Sequence, residues 1–356
     1  MSKTSRYTYI DALRVICSIM VILTHVVMYY INAFEVKTVF WTNLVFLKAL
    51  TQFAVPTFFM ISGATILSST KEESYGSFIK RRLSKIAIPF LVYSVIYYLF
   101  YVFVKKEYAL GIGIFLRKLL RPSISGHFWY IYALIPLYFI FPFLRKLVQS
   151  LTKKQLLTLI SVFFIINSFM PLLNNILEMC FDMKIGYYSY GKAGVYLNYT
   201  LIGYFIHNYG TDLKRTLPLK LSMWATIFIS LGAMTVMTYY FSQEKINQTY
   251  LDITWPFVIF LSVAVMILAK LHYEQKTVRD GWANFISALG ILSFSAYLVH
   301  MLYLRSVQIY FPRKILASLT DLESAGLLFA IFAIGVIVCY LWAFIVSKIP
   351  IIKKLL

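Results

Sequence analysis

Charged residues are scarce in this sequence. They make up 13% of its 356 residues, against 60% hydrophobic and 18% aromatic, and the mean hydropathy is +0.74. That balance excludes an ordinary soluble globular domain, in which about a quarter of the residues are charged. Cysteine is scarcer still. Cys17, Cys180 and Cys339 are odd in number and widely spaced, which excludes a disulfide framework and the paired spacings of a zinc site, so no metal is expected. A cleavable signal segment is also lacking: MSKTSRYTYIDALR is polar and leads directly into an apolar run, so the amino terminus is expected to be retained. No connection between apolar runs exceeds roughly 20 residues, too short for an independent fold, and the two halves show no convincing similarity to each other. A single domain over residues 1–356 is therefore expected, with no fused extracytoplasmic domain.

What the chain does have is long apolar segments. Runs of about 20 such residues, enough to cross a bilayer as a helix, fall at 10–30, 44–67, 86–104, 127–145, 155–173, 194–208, 221–241, 252–271, 284–304 and 324–347. They are continuously apolar rather than alternating, so they predict helices and not barrel strands. The expected fold is an all-α polytopic integral membrane protein of about ten spans. An even count puts both termini on one side. With the amino terminus inside, 21 Lys and Arg residues fall on inner segments and 13 on outer ones, which places both termini in the cytoplasm. One outer loop, KKEYALGIGIFLRKLLRPSISG, opposes the rule with Lys105, Lys106, Arg117, Lys118 and Arg121. A short amphipathic helix along the interface would accommodate it, as would a solvated basic loop. The net charge of +20 is spread over short loops rather than gathered on one soluble face. It points to membrane lipid headgroups or a phosphate-bearing ligand, and away from nucleic acid.

Charge inside a span is costly, about 2.5–3.5 kcal/mol at its centre, so its position is informative. The first span, YIDALRVICSIMVILTHVV, carries Asp11, Arg14 and His25. Eleven residues from Arg14 to His25 make three helical turns plus about 20°, which puts both on nearly one face about 16 Å apart. Asp11, one turn before Arg14, can pair with it. A snorkelling arginine and a histidine bonded to a neighbouring helix would account for them structurally. His25, however, lies too deep to snorkel, and an imidazole can serve as base, acid or nucleophile near neutral pH. The topology puts His127 and His300 at the outer ends of their spans, at the depth of His25, and His207 and His272 near inner ends.

At the inner side Arg14 joins Lys80, Arg81, Arg82 and Lys85 of KRRLSKIAIPF, just before the third span. Guanidinium forks suit phosphate groups, although positive-inside topology alone would produce such a rim. Ser62 and Gly63 of FFMISGATIL allow close approach of a helix or a ligand. On these residues alone, a transporter or flippase using Arg14 and His25 as substrate or proton sites fits. So does a non-enzymatic membrane subunit whose charges serve packing.

Arg14 and His25 in their Arg-x10-His arrangement, FFMISG at Phe58 to Gly63, KRRLSKIAIP ending at Pro89, HFWYIYALIPLY from His127, and SAYLVH ending at His300 occur in this order. Together they resemble the membrane-bound acyltransferase 3 family of surface-glycan O-acyltransferases over nearly the whole chain. The resemblance implies transfer of an acyl group, commonly acetyl, from cytoplasmic acyl-CoA to a hydroxyl of a cell-surface or envelope polysaccharide, or of a lipid-linked glycan. Acetyl-CoA would be a co-substrate, and the setting the cytoplasmic membrane of a bacterium. The resemblance also implies catalytic importance for His25 and Arg14 and a donor site at Arg14, Arg81, Arg82, Ser62 and Gly63, with Arg81 and Arg82 fitting the family position equally well. His127, Trp129, Tyr297 and His300 would bind or orient the acceptor. Some members carry a fused hydrolase-like domain. Without one, this chain would acylate its acceptor itself or pass the group to a separate extracytoplasmic transferase or a glycan synthase.

Overall fold

The structure, a computed structural model, describes residues 8–121, 123–210, 216–273, 280–316 and 318–349. Both chain termini, whose cytoplasmic placement the charge bias predicts, lie outside the described residues. Among those residues the fold is entirely helical, in the order α1 (Thr8–Ile31), α2 (Val39–Thr51), α3 (Ala54–Ser62), α4 (Tyr75–Phe103), α5 (Ile112–Leu120), α6 (Trp129–Ser150) and α7 (Lys153–Phe164). It continues through α8 (Met170–Phe181), α9 (Gly191–Tyr209), α10 (Leu217–Phe241), α11 (Pro256–Tyr273), α12 (Asp280–Tyr310), α13 (Arg313–Leu316) and α14 (Asp321–Lys348). Several helix starts are set by hydroxyl caps. Thr38, Ser74 and Thr216 accept from the third backbone N–H beyond them, and Thr152 with Gln155 and Thr320 with Glu323 form full capping boxes.

Among the described residues nine helical segments are long and apolar enough to cross a membrane, and the protein is a polytopic membrane protein. The expected short span at 194–208 forms as α9, a mostly buried helix that is not among those nine; Asn198, Thr200 and His207 make it more polar than the rest. Two other expectations need correction. The basic stretch Lys80 to Lys85 is not a loop ahead of the third apolar run but the first turns of the same helix, because the Ser74 cap starts α4 at Tyr75 and long cationic side chains are good helix formers. The second span is not one helix: α2 ends at Thr51, Gln52 and Phe53 form a turn, and α3 passes into a π-helical turn at Gly63–Leu67. The Gln52 side-chain amide donates to the Leu251 carbonyl at this break. In the basic loop a short helix does form, α5, with no buried residue.

Helix α1 is the hub, packed against α2, α3, α11, α12 and α14. It runs parallel to α12, and three contacts fix their register. Ser287 Oγ donates to Asp11 Oδ2 at 2.7 Å, the His25 and His300 rings lie 5.0 Å apart, and Tyr29 donates to the Phe311 carbonyl at 2.7 Å. The first two are separated by about 21 Å along α1 and about 20 Å along α12 at 1.5 Å per residue, so the helices keep step.

The α3–α9 pair relies on two glycines. A Cβ at Gly63 would overlap the Thr200 carbonyl, and one at Gly203 would overlap the Met60 carbonyl; only hydrogen at these positions lets the backbones approach so closely. We expect Gly203→Ala to destabilise the detergent-solubilised protein by about 1–3 kcal/mol through overpacking. Gly232→Ala in α10, where a Cβ meets nothing within 4 Å, should leave the melting temperature unchanged or slightly raised; thermal unfolding of the two variants checks this.

Candidate active site

Asp11 is fully buried, and a carboxylate there needs partners. It accepts from Arg14 Nη1 at 2.8 Å as well as from Ser287, so the pairing expected from their one-turn spacing forms. Arg14, half-buried, then lines a cavity of about 150 Å³ with Arg82, Ser62, Thr65, Tyr138 and Ser293. Arg82 Nε is buried without a hydrogen-bond partner there.

The adjacent Arg81 points elsewhere. Its guanidinium donates through both Nε and Nη2 to the Glu73 carboxylate, and it is not among the residues lining this cavity. Neighbouring residues on a helix differ by about 100° in direction, so only one of the two can face the bundle. Gly63 is likewise placed in the α3–α9 contact, its hydrogen set against the Thr200 backbone, whereas Ser62 lines the cavity.

At the other end of α1 a cavity of about 280 Å³ is lined by His25, Lys48, Thr51, Gln52, His127 and Trp129, among others. The three histidines expected only to share a depth meet in space. His300 lies 5.0 Å from His25 and 4.9 Å from His127, ring centre to ring centre. His127 and His300 are buried, and each is held by one ring nitrogen. His127 Nδ1 lies 2.9 Å from Ser125 Oγ. His300 Nδ1 lies 2.5 Å from the Tyr297 carbonyl. A carbonyl can only accept, so His300 carries its proton on Nδ1. Its Nε2, buried without a partner, is thereby a proton acceptor in the neutral ring. His127 Nε2 is also unpartnered. His207 belongs to a separate cluster, with Nδ1 2.5 Å from the Tyr9 hydroxyl.

The two cavities share a wall. Tyr130 and Tyr297 line both, with rings 5.8 Å apart and nearly perpendicular. The Tyr297 hydroxyl donates to the His127 carbonyl, which fixes α12 to the turn before α6. The sequence reading missed Tyr130, Tyr138 and Lys48. For Lys48 a signal existed, a lone cation within the apolar run LVFLKAL. The tyrosines carry none, since aromatic residues are abundant throughout.

Cationic and imidazole cavities set end to end within a helical membrane bundle are suited to moving a group between two substrates. The match to known families agrees with such a class. A family model described as an acyltransferase domain matches residues 7–347, and the chain belongs to the acyltransferase 3 family; it is a membrane acyltransferase. No curated protein and no solved structure matches the chain.

The Arg81–Glu73 pair gives a test of the local electrostatics. The Arg81 guanidinium holds the Glu73 carboxyl below the usual carboxylate range. A depressed folded-state value contributes stability above the unfolded pKa, lost as the pH falls through the folded one. Arg81→Gln should therefore lower the melting temperature slightly at pH 7, and the difference from wild type should vanish in a melting series carried to strongly acidic pH. The effect is small because the pair is solvent-screened.

Proposed function

We propose that this acyltransferase moves an acetyl group from cytoplasmic acetyl-CoA to a hydroxyl of a cell-surface or envelope glycan. The observation that carries this reading is the shared Tyr130–Tyr297 wall between an arginine-lined cavity and an imidazole-lined one. The charge bias sets the Arg14 end toward the cytoplasm, where CoA resides. Arg82 and Arg14 hold the donor phosphates, as planar charged forks do well. From there the extended pantetheine arm follows α1 past the tyrosine pair, and the thioester carbonyl arrives beside His25.

The chemistry is acyl transfer from the sulfur of a thioester to the oxygen of a hydroxyl. The acceptor hydroxyl attacks the thioester carbonyl, an ester C–O bond forms, and the C–S bond breaks. His25, whose ring packs 5.0 Å from that of His300, takes the hydroxyl proton, which then goes to the departing CoA thiolate. General-base help of this kind is worth about 10²–10⁴-fold. Positioning by the protein supplies the rest, because CoA carries the activated group itself. His127 and Trp129 bound the acceptor side of the same cavity.

Two predictions follow from these roles. His25→Ala and His25→Gln should reduce ester formation on the envelope glycan by at least about 10²-fold at unchanged membrane level; normal glycan esterification in both would sink the assignment. Labelled acetyl-CoA supplied without acceptor should leave no label on the denatured protein, and label on His25 would instead make it a transient acyl carrier. Separately, Arg82→Gln should raise the KM for acetyl-CoA about tenfold or more, the loss expected for a charge-assisted phosphate contact. Arg81→Gln should leave it within about twofold, in keeping with a half-buried pair directed away from the cavity.

A further inference from the structure

Lys48 is the charge that the transfer chemistry above does not use. It lies in α2, inside the membrane-spanning segment, and is 8% exposed. Its Nζ donates to Thr24 Oγ1 at 2.8 Å, and Thr24 Oγ1 is 2.5 Å from Thr51 Oγ1. Thr24 precedes His25, so this polar cluster sits at the catalytic imidazole, and Lys48, Thr24, Thr51 and His25 all line the same cavity.

No carboxylate lies within ion-pair distance of Lys48 among the described residues. Among the described residues Asp252 is the one acidic residue lining that cavity, and it is engaged elsewhere. Its Oδ2 accepts from Lys192 Nζ at 2.8 Å, and its Oδ1 accepts from the Thr254 N–H at 3.0 Å and hydroxyl at 2.9 Å. Lys192 and Asp252 cancel, which leaves Lys48 as the net charge of the cavity. A buried cation without a counterion has lost its hydration and recovered little for it, so the site favours an anion brought by a ligand. The donor phosphates are not that anion, because the cations assigned to them lie beyond the Tyr130–Tyr297 wall.

Resting on the reading of the His25 cavity as the acceptor site, we propose that the acceptor is an acidic glycan: a sugar carboxylate or a phosphate pairs with Lys48 Nζ while the neighbouring hydroxyl faces His25. Lys48 thus selects the acceptor and sets which hydroxyl is presented. The contact positions substrate and takes no part in proton transfer.

The test combines glycan chemistry with two variants. The esterified glycan is recovered from cells making the wild-type protein, and its repeat is analysed for uronate or other carboxyl groups by carboxyl reduction and for phosphate by phosphorus analysis. We expect an anionic group on the esterified sugar or its bonded neighbour, with the two analyses telling carboxylate from phosphate. Lys48→Met should lower ester content at least tenfold, Lys48→Arg should keep most of it, and both purified variants should bind acetyl-CoA as wild type does. That binding also reports correct folding of the variants, and the wild-type glycan analysis needs no variant at all. An ester on a repeat without any anionic group overturns this inference alone, and would leave Lys48 as a stabiliser of the tetrahedral oxyanion. Unchanged esterification by Lys48→Met overturns it too. A wild-type protein that neither binds acetyl-CoA nor yields an ester would overturn the donor–acceptor reading itself, and this inference with it.

Discussion

The register between α1 and α12 is the constraint on which the site depends. It is anchored by a buried carboxylate: Asp11 takes one hydrogen bond from Arg14 on its own helix and one from Ser287 on the other. Gly290 permits this closeness, since a Cβ there would crowd Asp11 at 3.1 Å. Within a bilayer a charged group has no water to fall back on, so a slip of either helix would cost the carboxylate its Ser287 hydrogen bond with nothing to replace it. The same lock, carried along two parallel helices of equal rise, delivers His25 to His300 about four turns away. Asp11 is thus a structural residue with a consequence at the opposite end of the bundle.

The proposed division of labour between the two ends follows from what each residue type can do in a low-dielectric setting. Arginine keeps its charge and offers several donors, which suits a polyanionic donor arriving from one side. Histidine can give up and regain a proton, which suits the chemical step. The break after Thr51 has a matching role. It opens the middle of a span so that Thr51, Gln52 and the end of α2 border the His25 cavity. Irregular backbone at membrane depth is tolerated only where it lines a cavity or is covered by protein, and Gln52 meets that condition by bonding to the Leu251 carbonyl.

Much of this was legible in the sequence, and the rest was hidden for identifiable reasons. Apolar run length reveals the spans because bilayer thickness dictates it, and the eleven-residue interval places Arg14 and His25 on one helix face because the helical repeat dictates that. The meeting of His25, His127 and His300 could be narrowed to a shared depth only, since lateral position depends on which helices neighbour one another. Helix rotation is equally silent in a single sequence: Arg81 and Arg82 look alike, yet one pairs with Glu73 and the other lines the cavity. Gly63 was open to packing or ligand contact, and the approach of the Thr200 backbone places it in packing. The early start of α4 was masked because charged residues hide a helix from a hydropathy reading even where a serine cap begins it.

The wall formed by Tyr130 and Tyr297 has an electrical meaning as well. One aromatic pair lines both the Arg14 cavity and the His25 cavity, so it stands where the two would otherwise join. Under the proposed transfer an acyl group on a narrow arm would pass beside these two rings, which are set edge to face where the cavities adjoin. In the transfer proposed above, the pair would let a chemical group pass while keeping the two cavities from joining into one ion-conducting aqueous channel.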